Sequence, residues 1–217
     1  MSISADKVKK LREMSGAPMM ECKKALEATD GDLDKAFTEL RKRGQAAAAK
    51  KAGRAASEGL IGVYVHAGSK IAVIVELNCE SDFVARTDEF RELAHDIAMH
   101  ICATDPKYVR KEDVDAAALE RERAILREQA AASGKPAAVI EKMIEGRLGK
   151  FYEENCLYEQ HFIKDASASQ TIRELISSKI AKFGENIAVR RFTRYKVGEG
   201  AVKEEIESAA PAAATQA

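Results

Sequence analysis

The apolar positions change rhythm along this chain. Over the first forty or so residues they recur at helical spacing. Val8 and Leu11 stand three apart behind Ser4 as a cap, "MSGAP" breaks the pattern, and "MMECKKALEA" resumes it, with Pro18 preset for the first turn. Leu33, Ala36, Phe37 and Leu40 then fall at i, i+3, i+4 and i+7 behind Asp32. The spacing predicts three short helices in a module of about forty residues, near the lower limit for an unassisted core.

From Arg41 to Ser57, "RKRGQAAAAKKAGRAAS", large apolar side chains vanish, so this stretch reads as a solvated helix or a flexible connector. The rhythm then becomes β. "GLIGVYVH" and "KIAVIVELN" are β-branched runs around Ala67-Gly68-Ser69, which predicts a hairpin. Ile71 to Val75 is apolar on both faces, which makes the second strand central and covered by helices on at least one side. "NIAVRRFTRYKV" supplies a third strand late in the chain.

Helices return between the second and third strands. Thr87 caps one whose stripe is Phe90, Leu93, Ala94, Ile97, Ala98 and Ile101. A helix from about Ala116 to Ala132 ends at Ser133-Gly134. Pro136 opens its antiparallel partner, with the stripe Ile140, Met143, Ile144, the Arg147 stem, Leu148 and Phe151. "CLYEQHFI" is a short irregular or β excursion, and Ile172, Leu175, Ile176, Ile180 and Phe183 mark a last helix stopped by Gly184. Beyond Gly200 the Ala-rich "EEIESAAPAAATQA" has Ile206 as its only large apolar residue, and disorder is expected there. The pattern predicts an α+β protein: a three-helix module at 1–42, a basic Ala-rich linker at 43–57, and a core at 58–198 with an antiparallel three-stranded sheet packed with helices. A disordered tail follows at 199–217.

Composition narrows the function. Lys+Arg and Asp+Glu both count 35, so no net field concentrates polyanions, and nucleic acid falls in rank. The start of the chain lacks the apolar stretch of a signal peptide, and no apolar run reaches the roughly 18 residues of a spanning helix. A cytoplasmic protein without membrane attachment is expected. Cys22, Cys79, Cys102 and Cys156 lie far apart without a C-x-x-C pair and read as reduced, mostly buried thiols. There is no phosphate-binding glycine loop. His66, His95, His100 and His161 form no metal-ligand pattern, and no nucleophile elbow appears. No catalytic residue, cofactor, metal or direct nucleotide binding is expected.

Surfaces remain. Met19 and Met20 are adjacent on one helix and point in different directions, so either both fill a thin core or one is presented to a partner. In "NCESDFVART", Ser81, Asp82, Phe83 and Val84 stand at a rim between a strand end and a helix start. Phe83 is either tucked into its own core or presented as a wedge.

At these residues the sequence resembles bacterial elongation factor Ts, over nearly all of Met1 to Gly200. "LREMSGAPMMECKKALEATDGDLDKAFTELRKRG" is like that family's N-terminal signature and "ELNCESDFVAR" its second, while "SGKPAAVIEKMIEGRLGKF" and "RRFTRYKVGEG" look like later blocks. The resemblance implies a ubiquitin-associated-like N-terminal module, an α+β core, and guanine-nucleotide exchange on the GTPase elongation factor Tu. The family's Thr-Asp-Phe-Val segment intrudes near the GTPase magnesium and phosphate site; here it would be Ser81, Asp82, Phe83 and Val84. Ser replaces Thr, which removes a methyl and keeps the hydroxyl. The module's partner contacts map onto Arg12, Met19, Met20 and Lys23, and Pro18 stands where some members have Gly. Long members resemble a core of two related halves, of which this chain has one; short members form homodimers, and the same is expected here. The rival readings are a ubiquitin-associated-type adaptor, an RNA-binding scaffold using "RKRGQAAAAKKAGR", and an enzyme using Cys79.

Overall fold

A computed structural model describes residues 3–131 and 136–199. The expected Ser133-Gly134 turn and all but the first residue of the expected tail lie outside the described residues. Near the N-terminus, α1 (Ala5–Ser15) starts at Ser4, whose side chain accepts from Lys7 N. α2 (Met19–Ala28) follows with Pro18 at the cap, one position earlier than the spacing predicts. α3 (Leu33–Lys51) starts at Asp32, whose carboxylate accepts from Asp34 N and Lys35 N. These helices close a small core of Val8, Leu11, Cys22, Ala25, Leu26, Ala36 and Leu40.

α3 does not stop near residue 42. It continues through the basic Ala-rich stretch to Lys51, so the expected module–linker boundary falls inside one helix. Gly44 is buried on α3, and Ala48 packs against the main core. The lack of large side chains that suggests a connector is what lets this end of α3 lie close to the last helix, α8 (Ile172–Phe183). Arg41 on α3 pairs there with Glu174.

The main core is one sheet with one covered face. β1 (Glu58–Val65) and β2 (Ile71–Cys79) form the expected hairpin, and β3 (Ala188–Lys196) adds antiparallel to β2, giving the order β1-β2-β3. Val63 pairs with Ile74, and Ile74 with Thr193. On the inner face Val73, Val75 and Leu77 are fully buried beneath α5 (Asp88–Thr104), whose predicted stripe is entirely buried. Gly62 permits this approach: a Cβ there would meet Ala94 Cβ and Val75 Cγ1 at 3.0 Å. α8 closes the layer with Ile172, Ile176 and Ile180, and ends at Gly184 in the left-handed conformation.

Two more helices, α6 (Ala116–Ala131) and α7 (Ala137–Asn155), pack together around a third cluster of Leu126, Ile144 and Leu148. Arg147, expected on the buried stripe, is exposed and donates to Gln129 on α6 at 2.6 Å. The "CLYEQHFI" segment contains a 3₁₀ turn, Leu157–Glu159, and isolated bridges at Cys156 and His161. The α+β architecture, with a helical module and a three-stranded antiparallel sheet, is as the sequence predicts. No helix among the described residues is long and apolar enough to cross a membrane.

Candidate functional site

The rim segment is a single helical turn, α4 (Asp82–Ala85), directly after the end of β2. Ser81 takes the extended conformation of an N-cap, φ −129° and ψ 153°, and its side chain accepts from Val84 N. Val84 and Ala85 face inward and join the main core. Phe83 faces outward and is 81 % exposed, so it is not tucked into its own core. Asp82 is half exposed, and its carboxylate pairs with Arg86 at 2.9 Å on the same turn. Of the four expected residues, Asp82 and Phe83 meet solvent, whereas Ser81 and Val84 hold the turn down.

The turn is also fastened after it ends. Thr87 Oγ1 donates to Val84 O at 2.8 Å and accepts from Phe90 N at 3.2 Å, so one residue closes α4 and opens α5. Before the turn the partners come from far away in sequence. The Glu185 carboxylate accepts from Glu80 N at 3.2 Å, Ser81 N at 3.0 Å and Ser81 Oγ at 2.6 Å. Asn186 N donates to Glu80 Oε1 at 2.6 Å. Sequence reasoning missed Glu185 and Asn186; the weak signal available was two polar residues immediately before a β-rich run.

Cys79 does not offer a nucleophile. Burial, aided by the charge of Glu185, pushes its thiol up to about 11, and its Sγ donates to Ser81 O at 3.1 Å. All four cysteines are free and buried, as expected. His100 is fully buried, bonded to Gln160 Oε1 at 3.0 Å and accepting from Ile163 N at 3.3 Å, so it serves the core. Burial lowers its pKa, against the opposing effect of the Gln160 bond. Among the described residues no three His, Cys, Asp or Glu side chains come together as a metal site.

The second candidate surface surrounds the α1–α2 turn. Met19 and Met20 are 44 % and 61 % exposed, so both methionines face outward, an outcome that neither of the two readings of the sequence anticipates. Met14, at the end of α1, is exposed as well and was not singled out by the sequence. Arg12 and Lys23 are exposed beside them, and Lys23 reaches Glu27 at 3.8 Å. The methionine turn rests on the module's core and the Phe83 turn on the main core. Between these two bodies lies a cavity of about 360 Å³, lined in part by Met14, Phe37, Leu40 and Gly44. Its carboxylates are taken by the protein: Asp165 accepts from Ser167, Ser169 and Gln170, and Glu174 pairs with Arg41.

A third surface is the uncovered face of the sheet. Ile61, Val63 and Val65 of β1, Ile74 of β2 and Tyr195 of β3 are all exposed there. Register places Val63 beside Ile74 and Ala72 beside Tyr195, so the apolar side chains are contiguous across the strands.

Residues 24–169 match the sequence profile of the family described as Elongation factor TS. A protein of Koribacter versatilis called Elongation factor Ts is 60 % identical over 92 % of this chain and 90 % of its own length. Proteins of the same name from Carboxydothermus hydrogenoformans and Geobacter sulfurreducens are 56 % and 54 % identical over 98 % and 99 % of this chain, covering 97 % and 98 % of their own lengths. These relatives share its length as well as its sequence.

Proposed function

The chain belongs to the elongation factor Ts family and so to the translation elongation factors; from that premise we propose that it is a guanine-nucleotide exchange factor. It binds elongation factor Tu in the GDP form, disturbs the Mg²⁺ and phosphate site, and promotes GDP release in protein synthesis. It acts in the cytoplasm and catalyses no bond chemistry of its own.

The observation that carries this reading is a largely exposed phenylalanine on a turn fastened at both ends. GDP is held in a GTPase by phosphate contacts and by Mg²⁺, whose octahedral coordination tolerates little displacement. A protein that prefers the empty GTPase weakens GDP by the same factor with which GDP weakens it. Full burial of a phenylalanine is worth about 1.5–3 kcal/mol. That matches the coupling of about 1–3 kcal/mol, roughly 5- to 150-fold, typical of linked sites. Phe83 supplies this differential term as a wedge, and Asp82 brings a carboxylate next to the metal's surroundings. Arg12, Met19, Met20 and Lys23 anchor the partner alike in both states. In this division of labour residues 1–42 anchor and the core at 58–198 pries, with the end of α3, as far as Lys51, packed against that core.

The open sheet face is the basis for a homodimer. A second copy laid against it, sheet to sheet in an isologous pair, covers the apolar row of Ile61, Val63, Val65 and Ile74. The test of the exchange function is a titration: the partner GTPase loaded with fluorescent GDP is mixed with excess unlabelled nucleotide and increasing amounts of this protein. Release accelerates with concentration if the reading holds; an unchanged rate across a wide titration overturns it.

A further inference from the structure

One helical turn has little stability of its own, because it fixes several dihedral angles in return for one or two hydrogen bonds. The proposed function nevertheless asks Phe83 to keep its direction while its ring packs against nothing in this chain's core. Val84 and Ala85 hold the turn from beneath, and Thr87 fastens its far end. Its entry is where the backbone would be free to swing, since Ser81 and Glu80 have already left β2.

That entry is held from 104 residues away by Glu185, in the loop between α8 and β3. One carboxylate collects two consecutive backbone N–H groups and the Ser81 hydroxyl. A second carboxylate crosses in the opposite direction, from Glu80 to Asn186 N. Asn186 Nδ2 in turn donates to Arg54 O at 2.8 Å, tying in the chain that leads to β1. Hydrogen bonds to an ionised acceptor are the stronger kind. They lock Ser81 in the extended conformation that lets it cap the turn. The Ser81 hydroxyl works twice, donating to Glu185 and accepting from Val84 N at 3.4 Å. Neither bond uses a γ-methyl, so Ser does here what Thr would do.

We infer that Glu185 is a positioning residue for nucleotide exchange: its carboxylate holds the Ser81 cap and thereby the direction in which Phe83 is presented to the GTPase. The inference rests on the reading of Phe83 as the wedge.

The experiment measures fluorescent GDP release from the partner GTPase for the full chain and for Glu185→Gln, Ser81→Ala, Ser81→Thr, Phe83→Ala and the Phe83→Ala/Glu185→Gln double variant, each first checked for fold by circular dichroism. Gln keeps one acceptor oxygen and cannot serve all three donors. Glu185→Gln is expected to lower the maximal release rate about tenfold. The concentration for half-maximal effect should stay near wild type, because the methionine anchor is untouched. Ser81→Ala is expected to behave alike, and Ser81→Thr, which keeps the hydroxyl, to release GDP faster than Ser81→Ala; equal rates for the two overturn the part given to the hydroxyl. The double variant should be no slower than Phe83→Ala alone, since nothing is left to position. A wild-type rate in Glu185→Gln and Ser81→Ala with a slow Phe83→Ala overturns the positioning role alone, as does a double variant with fully additive losses. A wild-type rate in Phe83→Ala overturns the wedge, and the positioning role with it. Should Glu185→Gln fail to fold, Ser81→Ala decides the same question.

Discussion

Phe83 and Val84 are consecutive residues on opposite sides of one turn, the first presented to solvent and the second packed in the main core. Their substitutions should therefore separate function from stability. Val84→Ala removes buried methyl groups and is expected to cost about 2 kcal/mol in urea denaturation. Phe83→Ala should change stability by no more than about 0.5 kcal/mol. Comparable losses for both would mean that Phe83 is a structural residue.

Met20 is expected to affect how tightly the partner is held rather than how fast nucleotide leaves. An exposed anchor of this kind is worth about 1–2 kcal/mol. Met20→Ala should therefore raise the half-saturating concentration in the exchange assay about five- to thirtyfold, with the maximal rate unchanged. A reduced maximal rate at unchanged half-saturation would place Met20 with the wedge instead.

Val63 sits opposite Ile74 on the open face of the sheet. Sedimentation of the wild-type chain at micromolar concentration should show a dimer. Val63→Glu places a charge in the middle of the apolar row and should give a monomer with an unchanged circular dichroism spectrum. A wild-type monomer, or a dimer indifferent to Val63→Glu, contradicts the sheet-to-sheet arrangement.

Glu174 joins the N-terminal module to the core and should make that junction acid-sensitive. Burial works against its charge, but Arg41 and the Thr171 N–H bond outweigh it and hold the carboxyl below its ordinary value of 4.5. A carboxyl lowered in the folded state contributes stability that is fully present above about pH 4.5 and is lost as the pH falls through the lower, folded value. Thermal melts between pH 6 and about pH 3 should therefore show wild type losing more stability than Glu174→Gln, the two curves converging in acid. Parallel curves would show that the carboxylate contributes nothing at this junction.

Much of the fold could be read from the sequence because its signals are local and periodic. The stripe from Phe90 to Ile101, the hairpin on either side of Gly68 and the stop at Gly184 each follow from spacing or from one conformational demand. The rim position of Ser81 to Val84 followed from a strand ending just before a cap. The direction of Phe83 did not, because an aromatic between Asp and Val suits either side of a single turn. α3 ran past its expected end for a related reason. Gly44 and Ala48 bury little surface of their own, and their value lies in letting α8 come close, which is visible only once α8 is in place. Glu185 could not be found from its neighbours: what makes it more than a surface carboxylate is a pair of amides 104 and 105 residues away.

In the proposed exchange function Phe83 supplies the energy that separates the partner's empty state from its GDP-bound state. Stopped-flow measurement of GDP dissociation from partner saturated with wild-type or Phe83→Ala protein tests it most directly. The wedge predicts a dissociation rate for the variant about ten- to a hundredfold below wild type, at similar affinity for the partner. Equal dissociation rates at saturation would contradict it.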